Sequence, residues 1–174
     1  MNQAYWEEAK AFHGHECPGL AIGVKACEAA VEKMGIHPAF DEELVCITEN
    51  DACGVDAIQA LMRCTVGKGN LLFHGTGKQA FTFIHRDTGK AMRFYLKAKR
   101  GDRDRAQYQA YLLNAAVDDV FECKELDIKP PERARLFSSV PCDSCGEAAP
   151  EHKMRLQEGK HVCMDCFQEY SRGW

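Results

Sequence analysis

At 174 residues the chain has room for one main domain and a small appendage, and not for two large domains. Hydrophobic residues make up 45% and charged residues 28%, which allows a packed core and argues against disorder along the whole chain. The 22 basic and 26 acidic side chains give a net charge of −4, without the broad positive field of a nucleic-acid binder. No apolar run is longer than four residues, and the run Met1-Asn2-Gln3-Ala4-Tyr5-Trp6-Glu7-Glu8 carries acids where a signal peptide would carry lysine or arginine. A soluble, cytoplasmic protein with no membrane attachment is the expectation.

In chain order, Asn2 to Phe12 reads as a short amphipathic helix, and Pro18 stands in the first turn of a second helix that runs to about Met34. Leu20, Val24, Cys27, Val31 and Met34 form its apolar stripe, and Gly35 and Pro38 end it. Leu44-Val45-Cys46-Ile47, within Glu43 to Thr48, fits a strand buried on both faces. A helix from Gly54 to about Thr65 follows. Asn70–His74, Gln79–His85 and Ala91–Leu96 read as antiparallel strands joined by the turns Gly75-Thr76-Gly77-Lys78 and Arg86-Asp87-Thr88-Gly89. Helical spacing recurs from Asp104 to Asp119, and a last strand is expected around Phe121 to Ile128. Lys129-Pro130-Pro131 marks a boundary, because consecutive prolines favour an extended connection. The fold class is therefore α+β, a mixed or antiparallel sheet packed with helices over residues 1–129. A linker and a small C-terminal zinc finger occupy 130–174.

Ten cysteines in a reducing compartment serve as metal ligands, reactive thiols or small core residues. Four fall in the pattern Cys142-x2-Cys145-x17-Cys163-x2-Cys166, the spacing of a four-thiolate zinc site. Two residues between thiolates let a tight turn aim both sulfurs at one ion, and tetrahedral zinc takes two such knuckles. A closed site of this kind is structural. Rubredoxin-like iron fits less well because Cys166 lacks a following glycine; it is expected instead to open a terminal helix, as in a treble-clef finger. His152 and His161 read as polar loop residues.

The second constellation is Phe12-His13-Gly14-His15-Glu16-Cys17-Pro18-Gly19. In an extended His13–Cys17 segment, His13, His15 and Cys17 project to one side and can converge on one ion. Cys17 then lies at a helix N-terminus, whose dipole and unpaired N–H groups suit an anionic sulfur. Glu49-Asn50-Asp51-Ala52-Cys53-Gly54 places Cys53 at a second strand-to-helix junction. If the two helix starts face one another, His13, His15, Cys17 and Cys53 hold a transition metal, zinc or another, with an open coordination position. The bland alternative is that the histidines cap a helix and Cys17 is packed. Cys27, Cys46, Cys64 and Cys123 read as small core residues. Gly67-Lys68-Gly69-Asn70 and Gly75-Thr76-Gly77-Lys78 match no phosphate-binding pattern, although Lys68 or Lys78 would suit an anionic substrate or cofactor.

Phe12-His13-Gly14-His15-Glu16-Cys17-Pro18-Gly19-Leu20-Ala21, Asp51-Ala52-Cys53-Gly54-Val55-Asp56-Ala57-Ile58-Gln59, Gly67-Lys68-Gly69-Asn70-Leu71 and Gly77-Lys78-Gln79-Ala80-Phe81-Thr82 together resemble the FmdE family, named for formylmethanofuran dehydrogenase. The resemblance spans nearly the whole chain, including a zinc finger that some members carry. It implies an α+β core, a homodimer, and a metal-associated site around His13, His15, Cys17 and Cys53. The dehydrogenase of the family name is a molybdenum or tungsten complex of one-carbon metabolism in methanogenesis, and its dehydrogenase chemistry is assigned to other, larger subunits. Lys25 and Arg63 stand where the family pattern has arginine and glycine. The leading expectation is a metal-binding protein with structural zinc in the tail and a functional core centre, supporting one-carbon or redox metabolism, with a protein partner in an oxidoreductase complex. The alternatives are a small enzyme in which His15, Cys17 and Cys53 are catalytic through a metal-activated water, and an interaction scaffold built on the finger.

Overall fold

A computed structural model describes residues 2–173, and the chain divides into two compact units, 1–134 and 135–174. The first unit is built on a five-stranded mixed sheet, so the α+β expectation holds. Its strands are β1 (Leu44–Thr48), β2 (Leu71–Phe73), β3 (Ala80–His85), β4 (Ala91–Leu96) and β5 (Phe121–Glu125), in the order β2-β1-β3-β4-β5. β3, β4 and β5 form an antiparallel succession from β1, whereas β2 pairs parallel to β1, with Cys46 opposite Leu71. The expected hairpin between β2 and β3 is therefore not formed. A helix connects β1 to β2, and that crossover returns the chain in the same direction on the outer edge of β1.

The helices are α1 (Gln3–His13), α2 (Pro18–Met34), α3 (Gly54–Met62), α4 (Arg105–Asn114) and α5 (Val117–Val120). α2 is the central one. Pro18 supplies its first turn, Gly35 in the left-handed region (φ 66°) ends it, and residues on nearly every side are buried. Leu20, Val24, Ala26, Cys27 and Ala30 are wholly enclosed between the sheet and the other helices. At about 1.5–3 kcal/mol for each large side chain taken from water, this helix and Phe81, Phe83, Phe94 and Phe121 beneath it dominate the stability of the unit. Alternate residues of β1, β3 and β4 point the other way, where Val45, Ile84 and Ala91 make a smaller cluster with Ile47, Leu72 and Leu126.

Three boundaries differ from the sequence expectation. α3 stops at Met62, because Arg63 takes a left-handed conformation (φ 55°). This is the position at which the family pattern has glycine, and only glycine adopts that backbone without steric cost. The helix expected over 104–119 is broken at Ala115 and Ala116. Asn114 takes the Ala110 carbonyl with its own side chain, and the extended pair after it turns Val117 and Val120 into the core. The first unit also continues past Lys129-Pro130-Pro131 to Ala134. Arg86 donates to the carbonyls of Pro131, Glu132 and Glu42, and the Ala134 N–H donates to the Glu42 carboxylate.

The second unit consists of two hairpins, β6 (Ser139–Pro141) with β7 (Ala148–Pro150) and β8 (Arg155–Gln157) with β9 (Lys160–Val162). A single 3₁₀ turn, Glu151–Lys153, lies between them. The helix expected to open at Cys166 is absent among the described residues. The chain there makes a tight turn, with the N–H groups of Cys166 and Phe167 both donating to the Cys163 carbonyl, and continues irregularly. Val162 and Cys142 are the buried hydrophobic residues of the unit, too little to hold it by apolar burial. No helix among the described residues is long and apolar enough to cross a membrane.

Candidate functional site

In the second unit the four sulfurs of Cys142, Cys145, Cys163 and Cys166 all lie within 4.8 Å of one another. Each knuckle is a turn after a strand. Gly146 (φ 78°) closes the first by donating to the Cys142 carbonyl, and Asp143 joins the two, its N–H donating to the His161 carbonyl and its carboxylate accepting the His161 N–H at 2.7 Å. The sulfurs of Cys145 and Cys163 are 3.9 Å apart. Tetrahedral zinc with Zn–S of about 2.3 Å sets its sulfurs about 3.8 Å apart, so the donor set fits the ion. Backbone N–H groups of Cys145, Cys163 and Ser144 aim at the Cys142 sulfur and bring its pKa down to about 6, so this thiol is ready to bind metal near neutral pH. His152 packs its ring 4.0 Å from that of Phe137, and neither it nor His161 joins the four-sulfur group.

The first unit brings together His13, His15 and Cys17, whose donor atoms also lie within 4.8 Å of one another. The route differs from the extended segment that alternation suggests. His13 is the last residue of α1, and Gly14 in the left-handed region (φ 84°) caps that helix and reverses the chain. The His13 and His15 rings are thereby set 4.3 Å apart. Cys17 is extended (φ −158°, ψ 161°) and caps α2, its sulfur accepting the Leu20 N–H at 3.3 Å. The Nε2 of His13 lies 3.9 Å from the Cys17 sulfur. A tetrahedral ion bound by nitrogen at about 2.0–2.1 Å and sulfur at about 2.3 Å requires about 3.6 Å, within a small side-chain adjustment of what is seen.

Asp56 completes this arrangement and was not legible as a site residue in the sequence. It stands in the first turn of α3, and its carboxylate lies 2.7 Å from Nδ1 of His13. That contact holds the proton on Nδ1 and leaves the Nε2 lone pair directed toward Cys17. The available signal is the spacing Cys53-x2-Asp56, which puts both side chains near the exposed end of one helix.

Cys53 comes close to Cys17 because α2 and α3 touch backbone to backbone. A Cβ on Gly23 would fall 2.1 Å from the Gly54 carbonyl oxygen, and one on Gly54 would fall 3.1 Å from the Gly19 carbonyl oxygen. Glycine at these positions is thus a packing requirement. A Cβ on Gly19 would stand 3.5 Å from the Cys53 sulfur and 3.7 Å from the Cys17 sulfur, so the two thiols flank the same gap. Burial, and then the hydrogen bond and charge of Cys17, push the Cys53 thiol up. Unlike Cys17, Cys53 makes no capping hydrogen bond, and it stands outside the compact three-donor group. It lines an open cavity of about 390 Å³ with His13, Asp51, Asp56, Gln59 and Phe73.

The two lysines separate. Lys78 is exposed in the loop after β2; its carbonyl accepts from Asn50, and its charge acts on Glu49, so it lies at the same end of β1 as Cys53. Lys68 lies at the other end, where its ammonium donates to the Asp41 carbonyl ahead of β1. It is not brought to the His13 and Cys17 cluster. The neighbouring Asn70 is structural, its amide donating to the carbonyls of Asp41 and Leu44 and its oxygen accepting the Thr65 N–H. Cys27, Cys46 and Cys64 are wholly buried, and burial is the leading reason their thiols are pushed up. They remain inert core residues, as expected from the sequence. Cys123 is half-buried, packs against the core and is likewise pushed up by burial.

Comparison with known proteins places this geometry. Residues 135–172 match the prokaryotic dksA/traR C4-type zinc finger, so the tail is a zinc-binding finger. A "Probable S-adenosyl-L-methionine-binding protein" of Archaeoglobus fulgidus is 27% identical over 93% of this chain, which spans about half (52%) of that relative's length. The crystal structure of an FmdE-like protein of the tungsten formylmethanofuran dehydrogenase type, from Syntrophus aciditrophicus, superposes with a TM-score of 0.72. That protein is 26% identical, and the match covers 94% of this chain and 90% of that one. Residues 12–127, which carry the whole His13, His15, Cys17, Cys53 and Asp56 arrangement, match the model described as "FmdE, Molybdenum formylmethanofuran dehydrogenase operon", and the chain belongs to the FmdE family.

Proposed function

We propose that this metal-binding protein carries a second, functional metal in its first unit, held by His13, His15 and Cys17 with Cys53 as the adjacent thiol. The observation that carries the reading is the convergence of three donors within 4.8 Å beside a cavity open to solvent. Two imidazoles and one or two thiolates suit zinc, iron, nickel or copper, and a dication there supplies Lewis acidity. The protein's own contribution is positional. Asp56 fixes the His13 tautomer, Gly14 turns His15 toward His13, and the close contact of α2 with α3 sets Cys53 against Cys17. Three protein donors and an open cavity differ in kind from the closed four-thiolate finger. The core centre is the one built for exchange or chemistry.

The role that fits is support of one-carbon or redox metabolism, through metal handling or as an accessory component of a larger enzyme. A homodimer, a cytoplasmic setting and a partner in an oxidoreductase complex belong to the same proposal. The ten cysteines are all unbridged, as a reducing compartment requires. Metal analysis of protein purified without chelators tests the core site: two metals per chain fall to one in Cys17→Ser. Turnover of a small substrate lost in the same variant would make the protein an enzyme.

The cavity's chemistry favours a second reading. Asp51, Asp56 and the half-exposed ring of Phe73 suit a small organic cation, a class that includes the sulfonium compound in the Archaeoglobus relative's name. Equilibrium dialysis with S-adenosylmethionine tests it, and loss of binding in Phe73→Ala with the fold intact is the expected sign.

A further inference from the structure

The geometry points to Cys53 and Cys17 as a thiol–disulfide exchange pair, with Cys53 the attacking sulfur and Cys17 the resolving one. This goes beyond metal binding, and only its competition with metal rests on the proposed core site. The two sulfurs flank the gap left by the missing side chain of Gly19, 3.5 and 3.7 Å from where its Cβ would be. They are held there by the backbone contact of Gly23 with Gly54. Their environments differ in the way an attacking and a resolving thiol require. Cys53 lines the open cavity of about 390 Å³ and has no capping bond to restrain its rotation. Cys17 is only 4% exposed and is held by the Leu20 N–H, out of reach of an external reagent. Carboxylates of Asp51 and Asp56 line the cavity, and neutral low-molecular-weight disulfides suit it better than anionic ones.

The co-reactant is a low-molecular-weight disulfide, RSSR. The Cys53 sulfur attacks it; the bond between Cys53 and one SR group forms, the S–S bond of RSSR breaks, and the other half leaves as RSH with the Cys53 proton. Cys17 then attacks the Cys53 sulfur; the Cys17–Cys53 bond forms, the bond to SR breaks, and a second RSH leaves with the Cys17 proton. The two cysteines lose two electrons and two protons, and RSSR gains both. A chain oxidised in this way has no free thiol at either position and so cannot hold a metal there through sulfur.

The full-length protein, stripped of weakly held metal by dialysis against a mild chelator, is equilibrated with 2-hydroxyethyl disulfide and its thiol at graded ratios. It is then alkylated and digested with trypsin. The expected product is the peptide spanning residues 11–25 cross-linked to that spanning 34–63. It should be lost in Cys17→Ser and Cys53→Ser and kept in Cys46→Ser, which separates Cys53 from the other cysteine of the second peptide. A persistent mixed disulfide on Cys53 without the cross-link, or both sulfurs separately alkylated at every ratio, overturns the inference. Saturating zinc added beforehand should slow the cross-link by at least about tenfold. An unchanged rate would contradict the core metal while leaving the exchange pair in place.

Discussion

The two cysteine-bearing centres solve opposite problems. In the finger, four thiolates close around one point, their spacing enforced by two tight turns, and hardly any hydrophobic core supports them. In the first unit, the fold exists independently of any ion, and the donors are set on helix ends by packing that extends well beyond them. A site that creates its fold cannot release its metal without unfolding, whereas a site carried on a prefolded scaffold can exchange metal or leave a position open.

The contrast predicts its largest effect at the finger. Removing zinc, or replacing Cys142 with serine, should unfold residues 135–173, because binding free energy on the order of 10 kcal/mol is folding free energy in such a module. Amide signals of the two hairpins should collapse while those of α2 and β3 persist. Loss of the α2 and β3 signals as well would show that the first unit depends on the finger metal. Next in size is Gly23→Ala. Its Cβ would meet the Gly54 carbonyl at 2.1 Å, so α2 and α3 must separate. The expected cost is about 3 kcal/mol, read as a lowered thermal midpoint. The same change should weaken core metal binding, since it moves Cys53 from Cys17.

How much of this could be read from the chain depends on the range of the signal. The finger's ligands are set by local spacing, and they were fully legible, although the helix expected after Cys166 is not formed. The pairing of Cys17 with Cys53 was expected from two similar helix starts, but what brings them together is the absence of side chains at Gly19, Gly23 and Gly54. Small residues carry no periodic signal. Asp56 was missed because a carboxylate in a first helical turn is ordinary until the ring it meets, 43 residues away in sequence, is known. The parallel pairing of β2 was hidden because a three-residue strand next to a glycine-rich turn reads as half of a hairpin. Arg63 reads as an ordinary helix end until its left-handed backbone is seen.

Smaller changes sharpen the same comparison. Asp56→Asn should lower core metal affinity by about 10–100-fold with finger zinc unchanged, as for other carboxylates that orient a ligating histidine. Competition titration against a chromogenic chelator measures it, and equal affinity would show that Asp56 does not orient His13. Arg63→Gly should stabilise the first unit by about 1 kcal/mol, since glycine relieves the left-handed strain at the end of α3. Denaturant midpoints check it. The smallest effect concerns Glu49, whose carboxyl is held below the usual range by hydrogen bonds from Arg93 and Thr76. A depressed carboxyl contributes stability that is fully present above its unfolded value of about 4.3 and is lost as pH falls through the lower folded value. Glu49→Gln should therefore flatten the acid limb of the stability profile below about pH 4.3, with little change in its slope above that.

The most direct test of the core centre is metal content by mass spectrometry of the intact, natively sprayed protein, comparing wild type with Cys17→Ser and Cys142→Ser. The account predicts two ions per chain in wild type and one in each variant. The ion retained in Cys17→Ser should sit in the finger, and the one retained in Cys142→Ser in the first unit. A single ion in wild type, unchanged in Cys17→Ser and absent in Cys142→Ser, would contradict it.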